Sequence, residues 1–351
     1  MLMISDNTRR VRSRAPLRLG LAGGGTDVSP YSDDFGGAVL NATINLYAYA
    51  NIELLAEDQV VFEALDLQKQ QAFPLDAAVG VSCDLLLHSG VYNRIMREYN
   101  DGKPIALRIT THSDAPMGSG LGSSSAMVVA LLLAFVELFK LPLGEYDVAR
   151  LAFDIERVDL GMQGGKQDQY AATFGGFNFM EFYRDRVIVN PLRIKQETIA
   201  ELNYNLLLFY LGTSRLSSEI IDAQIKNVQA GKSKPIEAMH QLKEQAVKQK
   251  EAILRGNLRE FGRLLGNSWE SKKQMSEKIS NAGIDRVYGR CMELGALGVK
   301  VSGAGGGGFM MIYCDGHTKF KVIDGLKGPA GELVKFQFTN DGAGAWPMQR
   351  E

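Results

Sequence analysis

The sequence is poor in cysteine, and its cysteines show no pairing pattern. The chain of 351 residues contains three of them, Cys83, Cys291 and Cys314, and none belongs to a Cys-x-x-Cys pair. This spacing favours neither a disulfide framework nor a zinc site. A sparse and odd set of thiols is typical of a reducing compartment, so we expect a cytoplasmic protein.

The chain also lacks an excess of charge of either sign. Its 39 lysines and arginines nearly balance its 40 aspartates and glutamates, which leaves a net charge of −1. Proteins that bind nucleic acid or a membrane surface usually carry a basic patch, so we expect neither partner. An apolar fraction of 45% excludes an intrinsically disordered chain. The histidines are scattered and form no metal-binding pattern: His88, His112, His240 and His317.

No apolar run in the sequence has the length of a membrane span. The longest strongly apolar stretch, Ala126–Phe139, is too short to cross a bilayer and contains Glu137. It therefore predicts a buried core helix. The first residues lack the apolar segment of a secretory signal peptide, so we expect none.

Glycine, in contrast, is abundant and clustered. The chain has 38 glycines among 351 residues, about 11% against a usual share of about 7%. The central cluster, PMGSGLGSSSA, spans Pro116–Ala126 and leads directly into the apolar helix. Its glycines allow close backbone approach to a ligand, and the helix N-terminus attracts an anion. The segment predicts a phosphate cradle, although a flexible, well-capped surface turn is the alternative. It is not a Walker A loop, because no Gly-Lys-Ser/Thr is present.

The rest of the chain predicts a mixed α+β protein of about two domains. Alternating apolar residues in 9–63 and in Pro104–Thr111 predict strands, and Asp84–Tyr99 and Leu143–Glu156 predict helices. The second half contains two polar, amphipathic stretches, Ser217–Val228 and Lys234–Phe261, which predict long helices. We place the domain boundary between residues 190 and 191, giving domains 1–190 and 191–351.

Three glycine-rich segments together resemble the motifs of the GHMP kinases. Pro116–Ala126 fits the family signature P-x-G-x-G-L-G-S-S-[SA]-A at every fixed position. Ala15–Asp27 (APLRLGLAGGGTD) resembles the first motif, and Lys300–Phe309 (KVSGAGGGGF) resembles the third. The resemblance implies an N-terminal domain like ribosomal protein S5 domain 2, a ferredoxin-like C-terminal domain, and an active site in the cleft between them. It also implies ATP and Mg²⁺ as cofactors.

The resemblance assigns roles around the phosphate cradle. The general base would be Asp168, with Arg18 beside it to keep the carboxylate ionised and to stabilise the transferring group. Without the resemblance, the sequence favours interpreting Asp168 as a turn or capping residue and Arg18 as an exposed strand residue. The nucleotide would be held by the central cluster: Pro116, Gly118, Ser119, Gly120, Leu121, Gly122, Ser123, Ser124 and Ser125.

The metal ligands implied by the resemblance are Ser123 and Glu156. Mg²⁺ prefers hard oxygen donors and keeps several waters, so one carboxylate, one hydroxyl and the nucleotide phosphates suffice. Asp154 is the alternative carboxylate, and any hydroxyl of Ser123–Ser125 is an alternative donor.

The acceptor pocket would be lined by the end of the first motif. Gly23, Gly24, Gly25 and Thr26 would approach the sugar, and Asp27 would accept hydrogen bonds from two of its hydroxyls. An acceptor that already carries a phosphate needs a second anion site. For that site and the closing loop we expect Lys166, Arg215, Gly305 and Gly306, with Arg14 as a further candidate.

A narrower resemblance points to the acceptor. RLGLAGGGTDVSPYSDDFGGAVLNATINLYAY, GGKQDQYAATFGGFNFMEF and LGTSRLSSEII resemble bacterial heptose 7-phosphate kinases. The implied reaction transfers the ATP γ-phosphoryl group to the anomeric hydroxyl of D-glycero-D-manno-heptose 7-phosphate. Gly24-Gly25 stand where galactokinases carry Glu-His, which disfavours galactose. A fucokinase and a non-catalytic sugar or nucleotide sensor are the alternatives, and we expect a monomer or homodimer.

Overall fold

The computed structural model describes residues 9–76, 83–212, 217–328 and 331–349. Within these ranges the strands are β1 (Arg10–Ala22), β2 (Gly37–Leu54), β3 (Gln59–Ala64), β4 (Lys69–Pro74), β5 (Leu107–Ser113), β6 (Phe177–Phe182), β7 (Val187–Pro191), β8 (Leu206–Tyr210), β9 (Gly298–Val301), β10 (Phe309–Tyr313), β11 (Glu332–Val334) and β12 (Gly344–Pro347). The α-helices are α1 (Tyr31–Phe35), α2 (Leu86–Tyr99), α3 (Ser123–Phe139), α4 (Glu145–Asp154), α5 (Gln167–Phe174), α6 (Gln196–Asn205), α7 (Ser217–Gln229), α8 (Ser233–Leu254), α9 (Leu258–Lys273), α10 (Ala282–Glu293) and α11 (Thr318–Gly325).

A large sheet is built mainly from the N-terminal half of the chain. Its strand order is β12-β1-β2-β5-β3-β4, and β6 pairs with the first part of β2 and carries β7. The pairings are antiparallel except that of β3 with β5. β2 is long enough to pair with β6 at one end and β5 at the other, so it joins both parts of the sheet.

The apolar helix predicted from the sequence forms the centre of this half. α3 packs against β1 and β2, and most of its side chains are buried, among them Val128, Leu131 and Phe135. The prediction of a core helix is therefore confirmed. Among the described residues, none of the helices combines the length and apolar character that crossing a bilayer requires.

The second sheet has four strands in the order β11-β8-β10-β9, all antiparallel. Helices α7–α10 connect β8 to β9, and α11 connects β10 to β11. This succession of elements and this strand order are those of a ferredoxin-like sandwich. α9 packs along β9 and also approaches β1, so it connects the second sheet to the first.

Two of the expectations drawn from the sequence differ from the structure. The single long helix predicted over Lys234–Phe261 is wrong, because it is divided into α8 and α9. Gly256 takes a positive φ of 71°, and the Asn257 side chain then caps α9 by accepting the N–H of Glu260. A left-handed glycine followed by an asparagine cap ends one helix and begins another.

The C-terminal end of the chain also departs from the predicted domain ranges. β7 ends at Pro191 in the first sheet and β8 begins at Leu206 in the second, so the chain crosses between sheets near the predicted boundary. β12, however, returns to the first sheet and pairs with Val11–Arg14 of β1. The range 191–351 is therefore not one continuous structural unit.

Candidate active site

A cavity of about 540 Å³ lies between the two sheets, within the usual size of ligand pockets. Its walls come from both halves of the chain: the start of α3 and the end of β1 on one side, α7, α9 and the loop after β9 on the other. The expected site between two lobes is therefore present as a cleft.

The central glycine cluster lies on one wall of the cleft and ends in the first turn of α3. Gly118, Gly120 and Gly122–Ser125 line the cavity. Gly122 caps α3 with a φ of 76°, and the helix begins at Ser123. The first N–H groups of a helix have no partners within it, so this wall presents free donors and the positive end of a helix dipole.

The remaining residues of this cluster hold the loop in place. The carbonyl of Pro116 accepts hydrogen bonds from the Ser123 hydroxyl at 3.1 Å and from the N–H of Ser119 at 3.2 Å. Ser119 and Leu121 are fully buried, and the carbonyl of Leu121 accepts the N–H of Arg18 at 3.0 Å. Their contacts support the loop rather than line its open face.

The central and third glycine clusters are packed directly on each other. A Cβ added to Gly120, which has a φ of 81°, would stand 2.5 Å from the carbonyl oxygen of Ser302, and one added to Gly303 would stand 2.6 Å from the Cα of Gly120. Since real Cβ contacts are never this short, both positions require glycine. The Ser302 hydroxyl also donates to the carbonyl of Gly120 at 2.9 Å.

Asp168 and Arg18 form a charge pair at the floor of the cleft. Asp168 lies in the first turn of α5, and Arg18 projects from β1. The Nε and Nη2 atoms of Arg18 both lie 2.7 Å from Oδ1 of Asp168, while Nη1 donates to the carbonyl of Gly120 at 2.6 Å. Arg18 is buried, so it is not the exposed strand residue of the alternative reading, and Asp168 retains 23% exposure on the cavity wall.

Glu156 lies behind the start of α3. It belongs to a π-helical turn, Ile155–Asp159, and its side chain is fully buried. Its Oε1 accepts the Ser124 hydroxyl at 3.0 Å, and its Oε2 accepts Nε2 of Gln169 at 2.5 Å. The serine that contacts Glu156 is thus Ser124, whereas the Ser123 hydroxyl, expected as the metal ligand, is directed at Pro116.

Glu156 and Ser124 together offer hard oxygen donors beside the cleft. Ser124 lines the cleft and links the buried carboxylate of Glu156 to it. A carboxylate with neighbouring hydroxyls is a hard-oxygen donor set, which suits Mg²⁺ once nucleotide phosphates and water complete the shell. The residues present fit the ion.

The end of the first motif forms the opposite part of the floor. Gly25 and Asp27 line the cavity. Asp27 accepts the N–H of Gly25 at 3.0 Å and both the N–H and Nε2 of Gln167 at 3.1 Å. Burial raises the pKa of Asp27, and the nearby charge of Asp168 raises it further. The Thr26 hydroxyl lies 2.8 Å from the carbonyl of Gly23 and 3.0 Å from that of Ala38, so these residues hold the turn.

Two of the cations expected at a second anion site, Lys166 and Arg14, are engaged by other groups. The Lys166 ammonium pairs with Asp33 at 3.2 Å and donates to the carbonyl of Tyr183 at 2.9 Å. Arg14 sits 4.6 Å above the ring of Tyr47. Lys166 is therefore occupied by an ion pair of its own. Arg215 lies outside the described residues.

Only the first part of the third glycine cluster reaches the cleft among the described residues. Gly303 and Ala304 line the cavity. Gly306 donates its N–H to the carbonyl of Ile279 at 2.8 Å, and a Cβ on Gly305 would stand 2.8 Å from the same carbonyl oxygen. Gly305 and Gly306 are thus packed against the second lobe.

Among the cleft residues that sequence reasoning did not single out are Lys272, Arg157 and Gln167. Lys272 is buried, and burial, reinforced by the charge of Arg18, lowers its pKa to about 8. Nothing in the pattern of α9 distinguishes Lys272 from the adjacent Lys273, because both stand in a polar amphipathic helix. Gln167 is adjacent to Asp168, and Arg157 is adjacent to Glu156. This adjacency is the only sequence feature that could have identified them as cleft residues.

Comparisons with known proteins identify the family to which the chain belongs. The family model described as GHMP kinases N terminal domain matches residues 86–176, and that described as GHMP kinases C terminal matches residues 249–329. The D-glycero-alpha-D-manno-heptose 7-phosphate kinase of Campylobacter jejuni is 43% identical over 339 residues, covering 96% of this chain and 99% of that protein.

A solved structure described as a D-glycero-D-manno-heptose 1-phosphate kinase from Bacteroides thetaiotaomicron is 45% identical, with a TM-score of 0.83 over 97% of this chain and 100% of that chain. The L-fucokinase/L-fucose-1-P guanylyltransferase of Bacteroides fragilis is 26% identical over 361 residues, covering 95% of this chain but 38% of that protein.

The chain therefore belongs to the GHMP kinases. The α+β fold expected from the three glycine motifs is confirmed, and so is the class of enzyme, an ATP-dependent kinase.

Proposed function

We propose that the chain, an ATP-dependent sugar kinase, phosphorylates the anomeric hydroxyl of D-glycero-D-manno-heptose 7-phosphate to give the 1,7-bisphosphate, in the synthesis of nucleotide-activated heptose. The observation that carries the proposal is the Asp168–Arg18 pair facing the N-terminus of α3 across one cavity. The choice of acceptor is supported by the 43% identity to a heptose 7-phosphate kinase along nearly the whole chain.

In the proposed reaction Asp168 accepts the proton of the anomeric hydroxyl. The hydroxyl oxygen bonds to the γ-phosphorus, and the bond from that phosphorus to the β,γ-bridging oxygen breaks, with its electron pair leaving on ADP. Arg18 orients the carboxylate, because its Nε and Nη2 atoms both lie 2.7 Å from Oδ1 and leave Oδ2 for the hydroxyl. Phosphoryl transfer has a loose transition state, so positioning and charge stabilisation contribute most of the rate.

The nucleotide phosphates are assigned to the N–H groups of Gly118–Ser125. Their position at a helix N-terminus suits an anion. Mg²⁺ would be held by Glu156 and an adjacent hydroxyl, for which the geometry favours Ser124 over Ser123. Bound there, the ion would neutralise phosphate charge during transfer.

The acceptor is assigned to the floor formed by Gly24, Gly25 and Asp27. Oδ1 of Asp27 already accepts two hydrogen bonds, from the N–H of Gly25 and from Nε2 of Gln167, whereas Oδ2 accepts one and retains a lone pair for a sugar hydroxyl. The 7-phosphate requires a cation. Lys166 is paired to Asp33 at 3.2 Å and does not line the cavity, so we assign the phosphate to Arg157 on the cavity wall, whose Nη1 lies 3.8 Å from Oε1 of Glu156 and whose Nε has no hydrogen-bond partner among the described residues. Arg215 remains a candidate beyond the described ranges.

A panel of acceptors tests the proposal. ADP release is measured with D-glycero-D-manno-heptose 7-phosphate, the corresponding 1-phosphate, the free heptose and L-fucose. We expect the 7-phosphate to have the highest kcat/KM by at least about tenfold. The 1-phosphate is the second candidate, because a relative with 45% identity is described as a kinase of that sugar. Its anomeric oxygen already carries a phosphate, so its turnover would require transfer to another hydroxyl.

A higher kcat/KM for the 1-phosphate or for L-fucose would replace the proposed acceptor. Binding of Mg-ATP without turnover of any sugar would support a sensor instead. We also propose a cytoplasmic protein, monomeric or homodimeric; the location is supported by the free thiols of Cys83, Cys291 and Cys314, all buried.

A further inference from the structure

Lys272 carries an ammonium group into the floor of the cleft from the second lobe. It stands in the last turn of α9, is 3% exposed, and lines the cavity. Its Nζ donates to the carbonyl of Gly303, which is its one hydrogen-bond acceptor in the described part of the chain. An ammonium has three donors, so two remain for a ligand.

The position of this ammonium is on the acceptor side of the cleft. Nζ lies 3.7 Å from the point where a Cβ on Gly24 would stand, and Nε2 of Gln167 lies at the same distance from that point. Nε2 of Gln167 in turn donates to Asp27. Lys272 thus reaches the segment assigned to the sugar rather than the N-terminus of α3.

The charge of Lys272 is not neutralised by an ion pair. Among the described residues, no carboxylate oxygen lies within 4.0 Å of Nζ, and Asp27 and Asp168 attract it only from farther away. A buried charge without a partner is costly, and such groups concentrate at functional sites. An anion or a developing negative charge between Lys272 and Asp27 would provide the missing partner.

Lys300 shows what a structural buried lysine looks like in this protein. Its ammonium donates to the carbonyls of Gly20 and Leu21, and it fastens β9 to β1. Unlike Lys272, it does not belong to the cavity wall. Lys272 therefore borders the cavity, where a substrate can contact it, and Lys300 does not.

We propose that Lys272 is a catalytic residue whose ammonium donates a hydrogen bond to the reacting hydroxyl oxygen of the acceptor, on the side away from Asp168. This inference rests on the proposed sugar kinase function. As the hydroxyl proton moves to Asp168 and the oxygen bonds to the γ-phosphorus, negative charge develops on that oxygen until ADP leaves. Lys272 keeps its own proton and stabilises that charge.

The substitution Lys272→Met tests this role, with Lys273→Met as the matched control. The Lys273 ammonium pairs with Glu270 at 2.9 Å and lies 5.2 Å from the ring of Tyr288. For Lys272→Met we expect kcat to fall about 100-fold or more and the acceptor KM to rise, with the Kd of Mg-ATP changed by less than about twofold. Lys273→Met should match wild type in all three.

A pH profile separates a charge role from a packing role. The groups facing the Lys272 ammonium are Arg18, Asp27, Asp168 and Lys300. Because the pKa of Lys272 is about 8, the wild-type kcat/KM for the acceptor should fall above that pH. In Lys272→Met this alkaline decline should be absent from the residual rate.

Lys272→Gln provides a second variant that keeps a donor to Gly303, in case the methionine variant does not fold. A kcat within about threefold of wild type in either folded variant would overturn the proposal. So would a tenfold weaker Mg-ATP affinity with an unchanged kcat, because that result would assign Lys272 to the nucleotide. Failure of the wild type on heptose 7-phosphate would refute the acceptor instead, and the variants would then be compared on whichever sugar is turned over.

Discussion

At the scale of single residues, Asp168 is where sequence motif and geometry agree most closely. Its carboxylate faces the cleft while Arg18, itself buried, holds Oδ1 from behind. A turn or capping residue would have no need of a buried guanidinium on one oxygen. The arrangement leaves the other oxygen, Oδ2, for a substrate hydroxyl.

Replacing Asp168 by Asn should abolish most of the activity. Asparagine has the same shape but cannot take the hydroxyl proton, so we expect kcat to fall about 10²–10⁴-fold. Nucleotide affinity, measured by titration calorimetry, should change little. Asp185→Asn, at an exposed position, is the control. A rate unchanged in Asp168→Asn would remove this residue from the mechanism.

The buried charge of Lys272 should lower the free energy of unfolding of the protein. Its folded-state pKa of about 8 is below the ordinary 10.5, so below pH 8 the folded protein carries a charge that the unfolded chain solvates better. That difference corresponds to about 3 kcal/mol. Allowing for the lost bond to Gly303, we expect Lys272→Met to raise the free energy of unfolding by about 1–3 kcal/mol.

The free energy of unfolding in urea, measured as a function of pH, tests whether the buried charge of Lys272 destabilises the folded protein. Between pH 8 and 10.5 the unfolded chain binds more protons at this position than the folded protein, so the stability contributed here rises with pH. The stability advantage of Lys272→Met over wild type should therefore shrink across that window. A variant less stable than wild type at pH 7 would show that Lys272 is a structural residue.

At the scale of elements, the site depends on two loops whose backbones are packed directly on each other, with the Ser302 hydroxyl bonded to the carbonyl of Gly120. The central glycine loop, to which we assign the nucleotide phosphates, contacts the loop between β9 and β10 at Gly120 and Gly303. This contact connects the two sheets at the cleft, so a change in either loop displaces both.

Gly120→Ala should disrupt this contact. Its Cβ would meet the Ser302 carbonyl oxygen at 2.5 Å, at a φ of 81°. We expect a loss of about 1–3 kcal/mol of stability and a marked rise in the KM for ATP, followed by urea unfolding and initial rates. Gly289→Ala is the control: Gly289 lies inside α10 with nothing within 4 Å of an added Cβ. It should be neutral or slightly stabilising, and equal effects of the two changes would contradict the argument.

The elements also show where sequence patterns are sufficient. The nearly unbroken apolar run of α3 and the alternation in β1 and β2 predicted their structures because each pattern continues over many residues. The break between α8 and α9 was missed because the amphipathic pattern continues on both sides of it. Only the left-handed backbone at Gly256 interrupts it.

At the scale of the whole molecule, the chain does not divide into two independent halves. β12 closes the edge of the first sheet by pairing with β1, although it lies at the other end of the sequence. α9 spans from the second sheet to β1. The lobe that holds the glycine loop is thus completed by residues of the C-terminal half.

Ending the chain after Ala343 should therefore weaken the N-terminal lobe. The truncation exposes the edge of β1, and unpaired edges are prone to aggregate. We expect faster hydrogen exchange at the amides of Val11–Arg14 and a lower midpoint of thermal unfolding. A chain ended after Met348 retains β12 and should behave as wild type. Unchanged exchange in the shorter chain would show that β12 contributes nothing to the lobe.

The local sequence was enough to predict the glycine loop and the helix that follows it, because both depend on backbone freedom or apolar character within a few residues. The roles of Asp168 and Arg18 were predicted from the resemblance to the GHMP kinases, and their contact joins residues 150 positions apart in the sequence. Only the tertiary structure decided that Ser124 contacts Glu156, that Lys166 is engaged by Asp33, and that Lys272 enters the cleft. The physical reason is that the partner of a charged side chain depends on how distant elements pack. Two lysines on one helix, such as Lys272 and Lys273, have no local sequence feature that shows which of them enters the cleft.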